Sequence, residues 1–363
     1  MKLILTAKLK LNTTPEQYIA LRQVQLAYRD GLNFVSRYAF ANRKMSNSLR
    51  LQKGTYHDLR KRFNLSPQMA SHIAREVGGT YKALWTKLKR NAEHRKAGYT
   101  RKRFKGLDQA PRYVTPTVTY TYGKDYKFKA DQRVSIRTLQ GRIIVPYEGY
   151  HRHVALIQHG SGIKAAKLRY DKPHRQFYLL VSLVLEIPDP QPETHDNILG
   201  VDVGQRYLAV MGAMTNKSQF FSGKKVRAKA NHYARLRKRL QRKGTRSATR
   251  RKIAMSGRER RFKLNVNHSV AKTIIAERPH TLISLEDLTG IRERKPRYKR
   301  RRKSDKLVPL SPKARRANRH ASQWTFAELQ AAITYKAALA GSLAIKVDAD
   351  YTSTAWPYVW LYG

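Results

Sequence analysis

The chain has 363 residues, with 75 Lys and Arg against 24 Asp and Glu, a formal net charge of +51. A charge of that size points to a polyanionic partner, because each phosphate neutralised releases condensed counterions, and argues against an ordinary enzyme of small acidic metabolites. Hydrophobic residues make up 41%, with 21 Tyr and 4 Trp, which excludes a disordered basic tail. Cysteine is absent, which excludes disulfides, thiolate chemistry and Cys-built zinc sites in these residues.

Residues 2–12 alternate apolar and basic side chains and predict a strand. Its apolar run is too short for a signal peptide. Thr14-Pro15-Glu16 predicts a helix start, and apolar residues at helical spacing continue it over 15–43. Asn64 to Ser66 predicts the cap of a second helix over about 66–95, with a basic outer face.

The segment 113–187 breaks into short β-rich runs, TVTYTY, YKFKA, RVSIR, RIIVPY, VALI, AAKLRYD and FYLLVSLVLE, separated by turn residues. Such spacing predicts a small barrel or sandwich, which the first strand joins. FYLLVSLVL at 177–185 is half a membrane span, so the expectation is a soluble, intracellular protein with no membrane partner. Residues 187–197, IPDPQPETHDN, read as a linker.

Residues 224–319 hold 34 Lys and Arg against 6 Asp and Glu, more than half of the excess charge. Two basic helices are predicted over 228–243 and 248–277, and a mobile basic loop over 295–306. Nucleic-acid backbone contact is expected here, with Lys224, Lys225, Arg235, Arg239, Arg242, Arg300, Arg301 and Arg302 as candidates.

Against this field stand two acids, each closing a short apolar strand. Asp202 lies in Gly200-Val201-Asp202-Val203-Gly204 and Glu286 in Leu282-Ile283-Ser284-Leu285-Glu286. An acid there is costly unless paired or bound to a cation. Two on neighbouring strands suit Mg²⁺, which takes hard oxygen ligands and supports phosphodiester hydrolysis. A GVDVG run also fits a plain strand-end turn, or the phosphate loops of sugar kinases and chaperone ATPases. The basic stretch between the acids disfavours those kinases and ATPases.

GVDVGQRYLAV at 200–210 resembles the first RuvC-type motif, and LISLEDLTGIRER at 282–294 the second. The segment Trp324 to Leu329, with Ile333 to Ala337 and Gly341, resembles the stretch downstream of the second motif in TnpB (OrfB) proteins, the transposon-encoded RNA-guided DNA endonucleases related to type V CRISPR effectors. The resemblance covers nearly the whole chain. It implies an α+β multidomain fold in which a helical recognition domain (13–105) is inserted in a β-barrel wedge domain (1–12 and 106–195). A ribonuclease-H-like RuvC nuclease domain (196–363) would come next. It also implies Asp202 and Glu286 as catalytic Mg²⁺ ligands, a guide RNA from the transposon end, double-stranded target DNA and a cytoplasmic, nucleoid-associated location. By position, Gln68, Ser71 and His72 would face the DNA beside the target.

The family continues into a Cys-x-x-Cys zinc ribbon and a third catalytic Asp, whereas this sequence ends at Gly363. Asp348 and Asp350 precede that point and read as strand-end acids. Removing one G from the Trp356 codon lets the next frame spell Cys-x-x-Cys-Gly-Tyr, so the expectation is a frameshifted, truncated TnpB whose cleavage is impaired. The alternatives are a nuclease-dead RNA-guided DNA-binding protein or repressor, a strand-transferring transposase and a basic structural RNA-binding protein. No tyrosine-nucleophile or catalytic His-x-His signature supports the transposase, and the paired acids disfavour the structural RNA-binding protein.

Overall fold

A computed structural model describes residues 2–348 except positions 116, 161, 173, 189–194, 196, 205, 214–215, 277–279, 292–297, 302–303 and 324. The chain divides into two compact units, Met1–Glu186 and Ile187–Gly363.

The first unit opens with β1 (Lys2–Leu11). Three helices follow: α1 (Pro15–Ala41), α2 (Ser48–Phe63) and α3 (Pro67–Lys96). Thr14 and Gln17 cap α1 reciprocally, and Pro15 sits in its first turn, where no amide hydrogen is needed. Ser66 caps α3 by accepting from the Met69 amide at 3.3 Å. Helix α2 is an addition to the sequence expectation. Asn47 caps it, Leu51, Thr55 and Leu59 form its buried stripe, and Asn64 closes it in the left-handed region rather than opening α3.

The remaining strands are β2 (Thr117–Tyr120), β3 (Tyr126–Lys129), β4 (Arg133–Thr138), β5 (Gly141–Glu148), β6 (Ile163–Asp171) and β7 (Gln176–Glu186). With β1 they form an antiparallel sheet in the order β2-β6-β7-β1-β5-β4-β3. Its two edge strands are consecutive in the chain and approach through a Tyr122–Tyr126 bridge, so the sheet is nearly closed. β1 takes the central place expected of it, paired with β7 from Lys2–Glu186 to Leu11–Phe177.

One expected strand is overturned. VALI at 154–157 lies in a helix, α4 (His151–Gln158), because Val154 and Ile157, three apart, share its buried face. A four-residue apolar run cannot distinguish the two periods. His151 and His153 accordingly stand on α4, where the Tyr150 ring meets both edge-on.

The helices and the sheet bury one common core. Leu21, Val24, Tyr28 and Val35 of α1 and Ile73, Val77 and Tyr81 of α3 join Leu9, Val118, Ile136, Leu168 and Leu179 of the sheet. Each such buried aliphatic side chain contributes about 1.5–3 kcal/mol. Gln25 inside this core donates to the Leu168 carbonyl at 3.1 Å, pinning α1 to β6.

Gly162 anchors the start of β6 on β7, beyond a register shift between Ile163 and Ala166. Its φ is +68°, its carbonyl accepts from Val184 N at 2.8 Å, and an added Cβ would run into the Val184 carbonyl. Gly162→Val is therefore expected to lower the stability of this unit by about 2–4 kcal/mol. Denaturant unfolding of the full chain measures this, and an unchanged first transition would refute it.

The second unit holds β8 (Asn197–Asp202), β9 (Tyr207–Ala213), β10 (Asn216–Ser222), β11 (Thr281–Glu286) and β14 (Leu343–Val347) in the sheet order β10-β9-β8-β11-β14. β8, β11 and β14 run parallel, while β9 and β10 are antiparallel. Between β10 and β11 lie α5 (Lys224–Lys243), α6 (Arg246–Ala254) and α7 (Arg258–Ile275). The single helix expected over 248–277 is thus broken at Met255-Ser256-Gly257, where Gly257 has φ +76°.

The basic loop expected over 295–306 also differs. Its described part belongs to a hairpin, β12 (Tyr298–Arg301) with β13 (Ser304–Pro309), in which Lys299 pairs with Val308 and Arg300 with Leu307. The dense charge hid this cross-strand pairing. Then come α8 (Pro312–Gln323) and α9 (Phe326–Leu339), the latter packing on α7. Val270, Ala271 and Ile274 of α7 and Leu329 and Ile333 of α9 cover Leu199, Val201, Ile283 and Leu285 of the sheet. Among the described residues no helix is long and apolar enough to cross a membrane.

Candidate nuclease site and nucleic-acid surfaces

β8 and β11 are adjacent and parallel, in register from Thr281–Asn197 to Leu285–Val201. The next position on each strand is its acid, so Asp202 and Glu286 stand side by side at the C-terminal ends of two neighbouring interior strands. Asp202 is exposed and Glu286 half-buried. Burial pushes the Glu286 carboxyl above the ordinary glutamate range, and the Asp202 charge adds to the push. The pair is therefore mutually repulsive and open to solvent on the Asp202 side. A hard divalent cation between the two would relieve that repulsion, and the oxygen donors fit one.

The surroundings hold Glu286 in place. Gln330 of α9 is 5% exposed and donates to the Glu286 carbonyl at 2.7 Å. The neighbouring Asp287 is engaged elsewhere. Its Oδ1 accepts from the Thr289 amide at 3.0 Å, from the Thr289 hydroxyl at 2.5 Å and from Lys346 Nζ at 3.2 Å. Those Thr289 bonds, then Lys346, hold the Asp287 carboxyl below its ordinary range. Gln330, Asp287 and Lys346 escaped the sequence reading. The signal for Gln330 was an amide on the apolar stripe of a helix.

On the other side of β11, Glu286 pairs with Val347 of β14, and Asp348 comes directly after it. Among the described residues no group of three His, Cys, Asp or Glu side chains could hold a metal. Asp350 and the tail 351–363, on which the frameshift expectation rests, lie outside the described residues, as do Trp324, Arg302 and most of the linker 187–197.

Of the expected backbone contacts, Lys224, Lys225, Arg235, Arg239 and Arg242 are exposed along α5. None forms an ion pair among the described residues, so their charge is available to phosphate. Arg300 and Arg301 lie on β12, but their side chains are outside the description.

Other charges of this unit are committed internally. Glu259 of α7 takes Arg237 of α5 at 2.7 Å and Lys263 at 2.8 Å, with the Lys263 side chain only 7% exposed. Lys263 also donates to the Gln323 carbonyl at 2.9 Å. Burial raises the Glu259 carboxyl, but hydrogen bonds from Lys263 and Arg237 outweigh it and hold the group below its ordinary range. Glu259→Gln, which leaves the buried Lys263 charge without its counter-ion, is expected to cost about 3 kcal/mol near neutral pH. Because the folded value is depressed, the Glu259 contribution is whole above the unfolded value of about 4.3 and fades as pH falls through the folded value. Unfolding of wild type and variant at pH 7 and in acid checks this. A stability difference that does not narrow in acid would contradict it.

Gln68, Ser71 and His72 stand in the first turns of α3, all half-buried. Gln68 Nε2 donates to Thr121 Oγ1 at 3.3 Å, and His72 Nε2 meets the same oxygen at 2.7 Å. Gln52 donates to Ser71 Oγ at 3.2 Å. Beneath them Ser66 donates to the buried Asp125 at 3.2 Å, whose other oxygen accepts from the Thr121 amide at 2.9 Å. Burial lowers His72, opposed by the Asp125 charge, so the imidazole is neutral near pH 7. Gln68 and His72 thus belong to a polar cluster tying α3 to the turn after β2, while Ser71 faces α2 through Gln52.

Residues 182–290 match the family model OrfB_IS605, described as a probable transposase. No curated protein matches the chain. Among solved structures, a Cas12f1–sgRNA–target DNA complex is 14% identical, with 93% of this chain and 74% of that chain covered and a TM-score of 0.47. A CRISPR-Cas12f ternary complex is 12% identical, with 93% and 72% covered and a TM-score of 0.34. The matched stretch runs from within β7 to just past β11 and contains both strand-end acids, and over it this TnpB-like chain is similar to the OrfB_IS605 transposases.

Proposed function

We propose that the chain is a transposon-associated, RNA-guided DNA endonuclease that hydrolyses target phosphodiesters at Asp202 and Glu286. The observation that carries this is their placement. Three antiparallel strands followed by two parallel ones, ordered 3-2-1-4-5 within the unit, support the ribonuclease-H-like reading, and the two acids end the first and fourth of these strands. The OrfB_IS605 match over the same residues supports it.

In this reading Asp202 and Glu286 hold Mg²⁺, which when bound would polarise the phosphodiester and lower the pKa of attacking water. Asp202, being exposed, leaves room for substrate oxygens. Gln330 fixes the Glu286 backbone, so the carboxylate is aimed without reorganisation. The α5 cations and the β12–β13 hairpin, with Arg300 to Arg302, hold nucleic-acid backbone. The guide is RNA from the transposon end, and the target is double-stranded DNA. Gln68, Ser71 and His72 read the DNA beside the target after exchanging their internal partners for base edges. The working place of such a protein is the nucleoid.

The test is purification with co-bound RNA, sequencing of that RNA, and incubation with Mg²⁺ and DNA matched to it. Cleavage of matched but not mismatched DNA is expected. Matched DNA bound with no cleavage would leave an RNA-guided DNA-binding protein, and absence of element-end RNA would refute the guided reading.

A further inference from the structure

The first unit contains an open cleft of 1110 Å³ where β1 hands over to α1 and β6 turns into β7. It is larger than the roughly 300–1,000 Å³ of common small-molecule sites. Three cations line it, Arg22 of α1 and Lys172 and Arg175 of the β6–β7 turn, and no acid is among its lining residues. Acids nearby are committed: Asp171 meets His174 at 2.9 Å, and Glu148 accepts from Asn12 at 2.7 Å and Lys10 at 3.3 Å. Glu16 is exposed on the first turn of α1, its carboxyl lowered by the Thr14 hydroxyl. The positive end of the 27-residue helix α1 opens into the same space through Thr14 and Pro15.

The cleft also has an aromatic, partly polar wall, its Tyr18 and Tyr170 rings set edge to face at 71°. The Tyr18 and Tyr170 hydroxyls meet at 2.6 Å. Behind them Phe177 packs against both rings, at 5.3 and 5.0 Å. The Arg22 guanidinium lies over the Tyr170 ring at 5.0 Å, layering a planar cation on an aromatic face. A tyrosine pair offers a donor and acceptors to a base edge or ribose, and a stacked guanidinium offers a platform to a base. Lys172 and Arg175, exposed at the rim, offer charge to a phosphate.

We propose that this cleft binds one nucleotide monophosphate unit, with its phosphate on Lys172 and Arg175 and its base against Arg22, Tyr18 and Tyr170. The unit is either a free mononucleotide or one unpaired nucleotide of a single strand. The second source rests on the nucleic-acid binding proposed above, and the cleft is a site separate from the carboxylate pair.

The experiment uses the full chain freed of nucleic acid by high salt and nuclease. The probe is an RNA 8-mer carrying one 5-iodouridine, irradiated and mapped by mass spectrometry. Crosslinks to Tyr18 or Tyr170 are expected, as well as crosslinks on α5. Lys172→Ala with Arg175→Ala, both exposed and harmless to the core, should reduce the tyrosine crosslinks at least about tenfold through the loss of two charge-assisted contacts. The α5 crosslinks should stay. Adding Arg22→Ala should remove the tyrosine crosslinks altogether. Competition by millimolar uridine monophosphate identifies a free nucleotide as the natural occupant, and competition only by unlabelled 8-mer identifies a strand. Absence of tyrosine crosslinks, or their persistence in the Lys172/Arg175 variant, overturns the proposal. If α5 crosslinks remain in that case, the nucleic-acid reading stands and only the cleft assignment falls.

Discussion

Asp202→Asn and Glu286→Gln are each expected to lower divalent-dependent DNA cleavage by at least about a hundredfold, more than the 10–100-fold typical of changes to groups that only support a ligand. Both substitutions keep shape and remove charge, so folding and nucleic-acid binding should survive. Glu286→Gln has a further signature. The ionised carboxylate is disfavoured by burial and by Asp202. Without divalent ions the variant should therefore be at least as stable as wild type at neutral pH, and Mg²⁺ should stabilise wild type but not the variant. Cleavage rates with thermal denaturation, with and without Mg²⁺, measure both effects. A variant that cuts normally, or still gains stability from Mg²⁺, would remove Glu286 from the site.

Neutralising Lys224, Lys225, Arg235, Arg239 and Arg242 together to Ala should flatten the dependence of log affinity on log salt. If each meets one phosphate, the slope falls by about 4, at roughly 0.7–0.9 per contact, and affinity near physiological salt falls by about 10²–10³. All five side chains are exposed, so the helix should persist, held by Leu240, Ala248 and Met255 in the small cluster beneath it. An unchanged salt slope, measured by fluorescence anisotropy, would place the phosphate contacts elsewhere.

Much of the architecture was legible because strong periodicity survives without context. β1, α1 and α3 carry long alternating or helical patterns, and six of the seven expected middle strands are present. Failures came where local signals were short or masked. α2 has few large apolar residues and an internal Gly54, tolerated because it lets Tyr38 of α1 pass close. α4 offered only four apolar residues, and the charge of 298–309 concealed the pairing of Lys299 with Val308.

The site was legible as two acids at the ends of apolar strands. Their adjacency was expected only through the resemblance to the two RuvC-type motifs, because strand pairing across a long insertion is a non-local property. The same holds for Gln68 and His72, whose Thr121 partner lies 53 and 49 residues away in sequence. Gln330 was invisible for a similar reason, since its acceptor is a backbone carbonyl on a strand 44 residues earlier.

The most direct test of the carboxylate pair as the chemical centre is Mn²⁺ binding followed by electron paramagnetic resonance on RNA-free protein. Wild type should show saturable binding that Mg²⁺ displaces and that disappears in the Asp202→Asn, Glu286→Gln double variant. Equal binding by both proteins would contradict the account.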